Sequence, residues 1–200
     1  MASFSEILAD IRNGKPVLVV DEYDRENEGD IVLAAEKATR DNIVFAMRYA
    51  RGLMCLPCEG KILDQLEIPM MVTASTDKNQ TPFTVSVDAA HGTTTGMSVF
   101  DRLKTISVFL DPAAQPHHLH RPGHLFPLRP REKLLKERRG HTEASIELVS
   151  AAGLKKVSVI VEVMNDDGTM AKGKDLEQFC KKHNINLISV PEIDRAVYNV

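Results

Sequence analysis

The sequence lacks the features that place a protein in or across a membrane. No apolar run approaches the ~20 residues of a bilayer-spanning helix. The first residues, 1–6, have neither the basic start nor the apolar core of a signal peptide. Cysteine is also scarce: three residues, an odd number, do not make a disulfide framework and are typical of a reducing compartment. We therefore expect a cytoplasmic protein with no membrane partner.

The chain has little net charge, with a formal value of −3. Such a value gives no long-range attraction to nucleic acid, so we expect no nucleic-acid partner, and an anionic ligand requires a local basic site. The length of 200 residues, with 43% hydrophobic and 26% charged residues, is ordinary for a globular protein with a sizeable core. We expect one domain that spans residues 1–200.

Strand-like and helix-like segments alternate along the chain. The predicted strands cover residues 16–20, 31–35, 52–57, 83–88, 157–164 and 185–190. Three predicted helices follow the capping residues Ser3, Thr39 and Ser98, and a fourth begins at Thr142. Two more cover residues 60–66 and 175–183. This alternation predicts the α/β (α+β) class: a mixed β-sheet sandwiched between helices on both faces, in a single domain of complex topology. The sequence shows no internal repeat and no low-complexity tract.

Three segments carry more specific expectations. Five prolines between Asp111 and Arg131 predict a long loop without a regular element. Residues 73–82 are polar and rich in turn formers, which predicts an exposed, mobile loop. In the helix after Ser98, we expect most of the apolar side chains to be buried: Phe100, Leu103, Ile106 and Leu110.

Residues 21–30 form an acidic stretch in which six of ten side chains are carboxylates. Two strand-like apolar runs flank it, so the charges gather at one rim of the sheet. Like charges this close repel, and a cation, a basic partner or a proton has to offset the repulsion. The alternative is a solvated acidic loop. A calcium loop of the EF-hand kind is excluded, because Ala35 stands where a bidentate glutamate is required and the flanks are strands.

A second constellation, Arg138-Arg139-Gly140-His141-Thr142-Glu143, surrounds the start of a predicted helix that Thr142 caps. Free N–H groups at a helix start, the helix dipole and guanidinium donors together make a site for an anion. The alternative is an ordinary capped helix with solvated arginines. The hydroxyl groups of residues 93–95, beside another helix start, indicate either a weaker phosphate or sugar site or a simple loop and cap.

Other side chains in the sequence are candidates for catalysis or metal binding. His124 lies among rigid prolines and two arginines, and a histidine held in place is suited to acid–base catalysis. Glu162 interrupts an apolar strand, so it either faces solvent or points into a site that raises its pKa. Cys55 and Cys58 have the spacing of a redox pair or half a zinc site, but Cys55 lies in a predicted strand and the sequence has no second such pair. We interpret the histidines of residues 117–120 as a solvated cluster.

Five sequence motifs occur in a fixed order: DRENEGD at 24–30, RPGH at 121–124, FPLR at 126–129, GHTEA at 140–144 and NDDGTMA at 165–171. Together they resemble the motifs of the 3,4-dihydroxy-2-butanone 4-phosphate synthase family of riboflavin biosynthesis. The resemblance runs from about Phe4 to Ile193, which is nearly the whole chain. No single motif of the five is specific by itself, whereas the ordered set is.

The resemblance implies the conversion of D-ribulose 5-phosphate to L-3,4-dihydroxybutan-2-one 4-phosphate and formate. It also implies two magnesium ions per site and a homodimer with sites near the subunit interface. A histidine ligand leaves manganese open as a substitute for magnesium. Glu26 and His141 resemble the metal ligands, and catalytic positions match His124, Glu162 and Asp30. Substrate-binding positions match Arg25, Glu26, Asp30, Cys55, Thr95, Arg138, Arg139, Gly140, His141, Thr142 and Glu162. A divalent ion suits this chemistry because removing a proton beside a ketone creates an enediolate.

The chain departs from the family pattern at residues 130–139, which are more charged than the glycine-containing loop that is usual there. Arg139 stands where many members carry glycine, and it either changes loop mobility or adds phosphate affinity. Many members also carry a fused GTP cyclohydrolase II domain, which we expect to be absent. Two rival functions remain open: a sugar-phosphate isomerase or aldolase with the same enediolate chemistry, and a non-catalytic metal- or phosphate-binding module.

Overall fold

In the computed structural model, which describes residues 2–198, seven strands form one mixed sheet with helices on both faces. The strands are β1 (Val17–Val20), β2 (Gly29–Ala34), β3 (Arg51–Pro57), β4 (Val87–Ala89), β5 (Leu119–Leu128), β6 (Ser158–Val163) and β7 (Asn186–Ser189). The helices are α1 (Phe4–Arg12), α2 (Arg40–Phe45), α3 (Gly60–Gln65), α4 (Val99–Leu110), α5 (His141–Ala151), α6 (Lys174–His183) and α7 (Val190–Tyr198). The predicted fold class is confirmed.

The strands lie in the spatial order β4-β5-β3-β6-β2-β1-β7. β1 runs parallel to β7 and β3 runs parallel to β5, while the other neighbouring pairs are antiparallel. The register places Asp30 opposite Glu162, and Cys55 opposite Ile160. Because residues two apart on a strand share a face, Asp30, Glu162 and Cys55 all lie on the same face of the sheet.

Each face of the sheet has its own apolar core, as β2 illustrates. Ile31 and Leu33 belong to a cluster that includes residues of α2, α3, α4 and α6. Val32 and Ala34 belong to a second cluster with residues of α1, α5 and α7. All four side chains are buried, because successive residues of a strand point to opposite faces and both faces are covered.

Side-chain caps begin three helices where the sequence predicts them. Ser3 forms a capping box with Glu6 at α1, and Thr39 caps α2. Ser98 caps α4 by accepting a hydrogen bond from the N–H of Asp101 at 3.1 Å. Over residues 2–198, the structure contains no helix that combines the length and the apolar character needed to cross a membrane.

The segment from Asp111 to Arg131 contains a ten-residue strand, so the prediction of a loop without regular structure is wrong. β5 carries two prolines and lies inside the sheet, between β4 and β3. A proline lacks the N–H donor but keeps its carbonyl acceptor. The carbonyl of Pro127 accepts a hydrogen bond from the N–H of Thr84 at 3.1 Å. On the β4 side the register shifts between Val87 and Asp88, which accommodates the irregular ladder.

Two further expectations are corrected in the same region. The strand predicted over 83–88 is shorter, since β4 covers Val87–Ala89. Phe83 and Thr84 pair only through isolated bridges, with Leu128 and Met70. Phe100 is 66% exposed, although the sequence predicts a buried side chain. α4 buries the face that carries Arg102, Thr105, Ile106 and Phe109, and Phe100 lies on the opposite side.

Candidate active site

A cavity of about 100 Å³ lies above the α5 side of the sheet, where the acidic stretch meets the start of α5. Strands β2, β3 and β6 form its floor, and α5 begins at its wall. The cavity brings together most of the predicted site residues: Arg25, Glu26, Asp30, Cys55, Arg138, His141, Thr142 and Glu162. Sequence segments more than a hundred residues apart therefore meet in one polar cavity.

Asp30 is the most deeply buried carboxylate on the cavity floor. It is 3% exposed, and its Oδ1 atom has no hydrogen-bond partner among the residues that the structure describes. Burial raises the pKa of Asp30 well above its ordinary value, and the charges of Glu162 and Glu26 raise it further. A carboxylate in this position requires a proton or a cation at neutral pH.

His141 begins α5 and faces the carboxylates. Its Nδ1 atom lies 3.6 Å from Oδ1 of Asp30 and 3.8 Å from Oε2 of Glu26. The other ring nitrogen, Nε2, is buried and unpartnered within residues 2–198. Burial lowers the pKa of His141, against the opposing charge of Asp21, so the neutral imidazole is favoured. Neutral imidazole is the form that binds metal ions.

Asp21 organises the acidic loop from within. Its Oδ1 atom accepts the N–H of Glu28 at 2.8 Å, and its Oδ2 atom accepts the N–H of Glu26 at 3.2 Å. The guanidinium of Arg25 donates to the same Oδ2 atom at 2.6 Å. Both oxygens of Asp21 are therefore engaged, and the loop holds its shape through a buried carboxylate at its first residue.

The residues present fit a divalent cation. Ligand atoms of Asp21, Glu26 and His141 lie within 4.8 Å of one another. The side-chain oxygens of Asp21 and Glu26 all accept hydrogen bonds, so Oδ1 of Asp30 and Nε2 of His141 are the ligand atoms left without a partner within residues 2–198. One imidazole and carboxylate oxygens form a donor set that suits magnesium or manganese. The unpartnered Nε2 and Oδ1 atoms are the observation that supports a bound ion.

The start of α5 carries the second half of the site. The helix begins at His141 with Gly140 as its N-cap, so the prediction that Thr142 caps it is wrong. Gly140 stands there because two guanidinium groups pack against it: an added Cβ would lie 2.2 Å from Nη1 of Arg138 and 3.1 Å from Nη2 of Arg25. The helix start therefore offers N–H donors beside two arginines, which suits an anion such as a phosphate.

Four predicted site residues lie outside the cavity lining: Gly140, which adjoins it at the start of α5, and Arg139, Thr95 and His124. The guanidinium of Arg139 donates to Glu22 at 2.9 Å and to Asp194 of α7 at 2.5 Å. Thr95 is exposed, and the residue after it, Gly96, packs against Asp88 of β4. His124 of β5 forms a 2.7 Å hydrogen bond from its Nδ1 atom to Oδ2 of Asp88.

Thr95 and His124 belong to one cluster of their own. An added Cβ at Gly96 would lie 2.6 Å from Nδ1 of His124 and 2.0 Å from Oδ2 of Asp88, so the turn after Thr95 packs directly on this pair. Strands β3 and β6 separate β5 from β2 in the sheet. The structure thus divides the predicted residues between two places on the sheet.

Sequence reasoning missed two polar residues, Asn79 and Lys172, whose side chains donate hydrogen bonds to Glu26. The side-chain amide of Asn79 donates to Oε1 of Glu26 at 2.7 Å, and its carbonyl accepts from Arg138 at 3.2 Å. Nζ of Lys172 donates to the carbonyl of Glu26 at 2.9 Å. Lys172 directly follows the NDDGTMA motif, and this position next to a family motif could have indicated that it lies near the site. Asn79 lies in a polar loop, and nothing in the sequence of that loop indicates its contact with Glu26, which is 53 residues away along the chain.

Cys55 and Glu162 complete the cavity floor. Burial raises the pKa of the Cys55 thiol, and the charges of Asp30 and Glu162 act in the same direction. The thiol therefore stays protonated and is unsuited to nucleophilic attack. Oε2 of Glu162 accepts a hydrogen bond from the N–H of Leu53 at 3.4 Å, which aims the carboxylate over the cavity floor.

The fold and the site define an α/β protein that joins a carboxylate–imidazole cluster to a pair of arginines at a helix start. The sequence model of the family described as 3,4-dihydroxy-2-butanone 4-phosphate synthase matches residues 5–196. The chain belongs to the 3,4-dihydroxy-2-butanone 4-phosphate synthase family.

Known relatives agree in sequence and in structure. The riboflavin biosynthesis protein RibBA of Aquifex aeolicus is 50% identical over 190 residues, which are 94% of this chain and 47% of that protein. The 3,4-dihydroxy-2-butanone 4-phosphate synthase of Photobacterium phosphoreum is 46% identical over 193 residues, 96% of this chain and 53% of that protein. The chain therefore spans about half the length of these curated relatives.

A solved structure of a 3,4-dihydroxy-2-butanone 4-phosphate synthase in complex with two magnesium ions superimposes on this fold with a TM-score of 0.93. The two sequences are 35% identical, and the match covers 100% of this chain and 98% of that chain.

Proposed function

We propose that this chain converts D-ribulose 5-phosphate to L-3,4-dihydroxybutan-2-one 4-phosphate and formate, as a lyase of riboflavin biosynthesis. The observation that carries the proposal is the single cavity in which bare metal-ligand atoms of Asp30 and His141 lie near the arginines at the start of α5. Membership of the family and the names of the relatives support it.

The cofactor in this proposal is magnesium, with two ions per site and manganese as a substitute. Glu26 and His141 hold the metal in this proposal, and their ligand atoms lie close together. The similar structure in complex with two magnesium ions supports the choice of ion. When bound, a divalent ion supplies positive charge beside substrate oxygens that become negative once a proton leaves the carbon next to the ketone.

The other residues of the cavity bind the substrate and move protons. Arg138 and Arg25, with the N–H groups at the start of α5, hold the phosphate group. Asp30 and Glu162, which face each other across β2 and β6, exchange protons with the carbon skeleton. Burial keeps Asp30 protonated to a higher pH than an exposed aspartate, which suits a group that both takes and returns a proton.

We propose a homodimer whose sites lie near the subunit interface. His124 and Thr95 form a cluster away from the metal and phosphate residues, so one protomer holds two incomplete halves. Met97 and Phe100, which are 51% and 66% exposed, lie in the turn and helix next to that cluster. Exposed apolar residues beside an incomplete site suit a surface that a second copy covers. His124 and Thr95 of one copy then complete the site of the other.

A cytoplasmic location stays part of the proposal. Cys55, Cys58 and Cys180 are all free and buried, which agrees with a reducing compartment.

The test of the function is the release of formate from D-ribulose 5-phosphate in the presence of magnesium. We expect formate and a four-carbon phosphate in equal amounts. An isomerase would retain all five carbons, and a non-catalytic binding module would bind ligand without turnover. Absence of formate above the level of an enzyme-free control, with correctly folded protein, refutes the proposal.

A further inference from the structure

Glu143 is a buried carboxylate whose contacts differ from those that its position in α5 suggests. It is the third residue of the helix, where a glutamate commonly reaches back to the N–H of the N-cap residue. Here its Oε1 atom accepts the N–H of Arg131 at 3.2 Å, and its Oε2 atom accepts Nη1 of Arg138 at 2.7 Å. The side chain is fully buried. Glu143 therefore binds the segment that precedes the helix.

Arg138 is held on two edges of its guanidinium group. Glu143 contacts Nη1, while Nε and Nη2 both donate to the carbonyl of Asn79 at 3.2 Å. The side chain of Arg138 is 11% exposed, and it lines the cavity beside Gly140. A guanidinium group has five N–H donors, so two remain for a ligand after these three contacts. Their direction is set by Glu143 and Asn79.

A fixed arginine has consequences for binding. Ordering a long side chain opposes association, and a side chain that is already ordered loses less freedom when its ligand arrives. A buried ion pair also keeps the guanidinium of Arg138 in place while the site holds no anion. Without the carboxylate, the carbonyl of Asn79 alone would hold the guanidinium at the start of α5, next to the like charge of Arg25.

We propose that Glu143 is a positioning residue that holds the guanidinium of Arg138 for the phosphate group of the substrate. The inference rests on the proposed function, in which Arg138 binds that phosphate. Glu143 itself does not touch the ligand. It orients the arginine and ties residues 131–138 to the helix through the N–H of Arg131.

The first test compares Glu143→Gln with a matched control, Glu147→Gln. An amide offers one acceptor oxygen where two donors now point at a carboxylate, so either Arg131 or Arg138 loses its acceptor. Glu147 is also buried, lies one turn later on α5, and is bonded to Tyr198 instead of Arg138. With inorganic phosphate as the probe and no added metal, we expect the dissociation constant to rise about tenfold in Glu143→Gln. We expect no change in Glu147→Gln, and parent-like affinity in Glu143→Gln would overturn the inference.

A second substitution covers the case in which Glu143→Gln does not fold. Glu143→Asp retains the charge but shortens the reach by one methylene group, so the carboxylate cannot contact both donors. The same loss of phosphate affinity is expected. Folded Glu143→Asp that binds phosphate as tightly as the parent protein contradicts the proposal.

The coupling between the two residues separates positioning from a general structural effect. In an Arg138→Ala background, Glu143→Gln should change the phosphate affinity by less than about twofold, because the residue through which it acts is gone. A tenfold effect in both backgrounds would mean that Glu143 acts by another route. Failure of the proposed function looks different, since the parent protein would then release no formate while these titrations still decide the role of Glu143.

Discussion

At the scale of single residues, Asp30 is a site residue whose burial makes the folded protein less stable as the pH rises. Its carboxylate is buried on the cavity floor with one oxygen unpartnered within the described residues, and burial raises its pKa well above the ordinary value. A group whose folded pKa is raised contributes stability below its unfolded pKa, and that contribution is lost as the pH rises through the folded value.

The substitution Asp30→Asn tests this conflict. In metal-free protein we expect the variant to be as stable as the parent protein near pH 4 and more stable at neutral pH, by on the order of 1 kcal/mol or more, since one pKa unit corresponds to about 1.4 kcal/mol. Urea unfolding as a function of pH, with a chelator present, measures the difference. Asp41→Asn, whose side chain is 90% exposed, is the control. A difference that does not grow with pH would contradict the buried, charged carboxylate.

Glu26 is the residue on which the metal assignment depends most. Glu26→Gln removes a ligand charge but keeps the shape of the side chain, so we expect loss of metal-dependent formate release by at least ~100-fold with little change in the melting temperature. Magnesium titration by calorimetry checks the cause. Activity close to that of the parent protein would show that Glu26 is not a ligand.

At the scale of elements, the start of α5 brings several residues of the site together. Its first residue is His141, its N-cap is Gly140, and its third residue is Glu143. The motif GHTEA therefore encodes a helix start that stays open to a ligand, because the glycine offers no side chain to cap it.

Gly140→Ala tests the packing at this start. The extended backbone of Gly140 accepts an alanine, but the added Cβ would lie 2.2 Å from Nη1 of Arg138. We expect both arginines to be displaced, with KM for D-ribulose 5-phosphate raised about tenfold and stability changed by less than ~1 kcal/mol. The matched control is Gly60→Ala, at the start of α3, where the Cβ would meet Nη1 of Arg129 at 2.8 Å, outside the site. Unchanged KM in Gly140→Ala would mean that neither arginine binds the substrate.

The elements also show where sequence patterns are informative. Ser3, Thr39 and Ser98 mark helix starts correctly, because a cap is a local interaction between residues three apart. β5 was not predictable from proline content, since whether a missing N–H matters depends on the strand that lies opposite. The exposure of Phe100 could not be predicted for a related reason. Sequence periodicity shows that a helix has an apolar face, but it does not show which part of that face the rest of the protein covers.

In the candidate site, too, local motifs were recognisable from the sequence, whereas contacts between distant segments were not. The acidic stretch and the residues around Gly140 were recognisable because each is a compact motif with its own chemistry. The contacts of Asn79 with Glu26 and Arg138 join loops that are distant in sequence, and only the fold brings them together.

At the scale of the whole molecule, two variants that we expect to be inactive can test the proposed dimer. Glu26→Gln disables the metal half of a site, and His124→Ala disables the other half. If each site uses His124 of the second copy, a hybrid dimer has one intact site and one doubly disabled site. Equal mixing with subunit exchange should therefore restore about a quarter of the parent activity. No recovery after exchange, checked by mass spectrometry of hybrid dimers, would place His124 in the site of its own protomer.

We expect the contacts of Arg139 to make the acidic loop sensitive to ionic strength. It bridges Glu22 of the acidic loop and Asp194 of α7, and the three side chains are 39%, 36% and 22% exposed. Ion pairs that are partly open to water weaken as salt rises, whereas the apolar cores do not. Salt should therefore speed hydrogen exchange in residues 22–28 at concentrations that leave global unfolding unchanged. Arg139→Gly, which installs the residue common in the family, should abolish this salt response, and an unaltered response would rule out the bridge as its source.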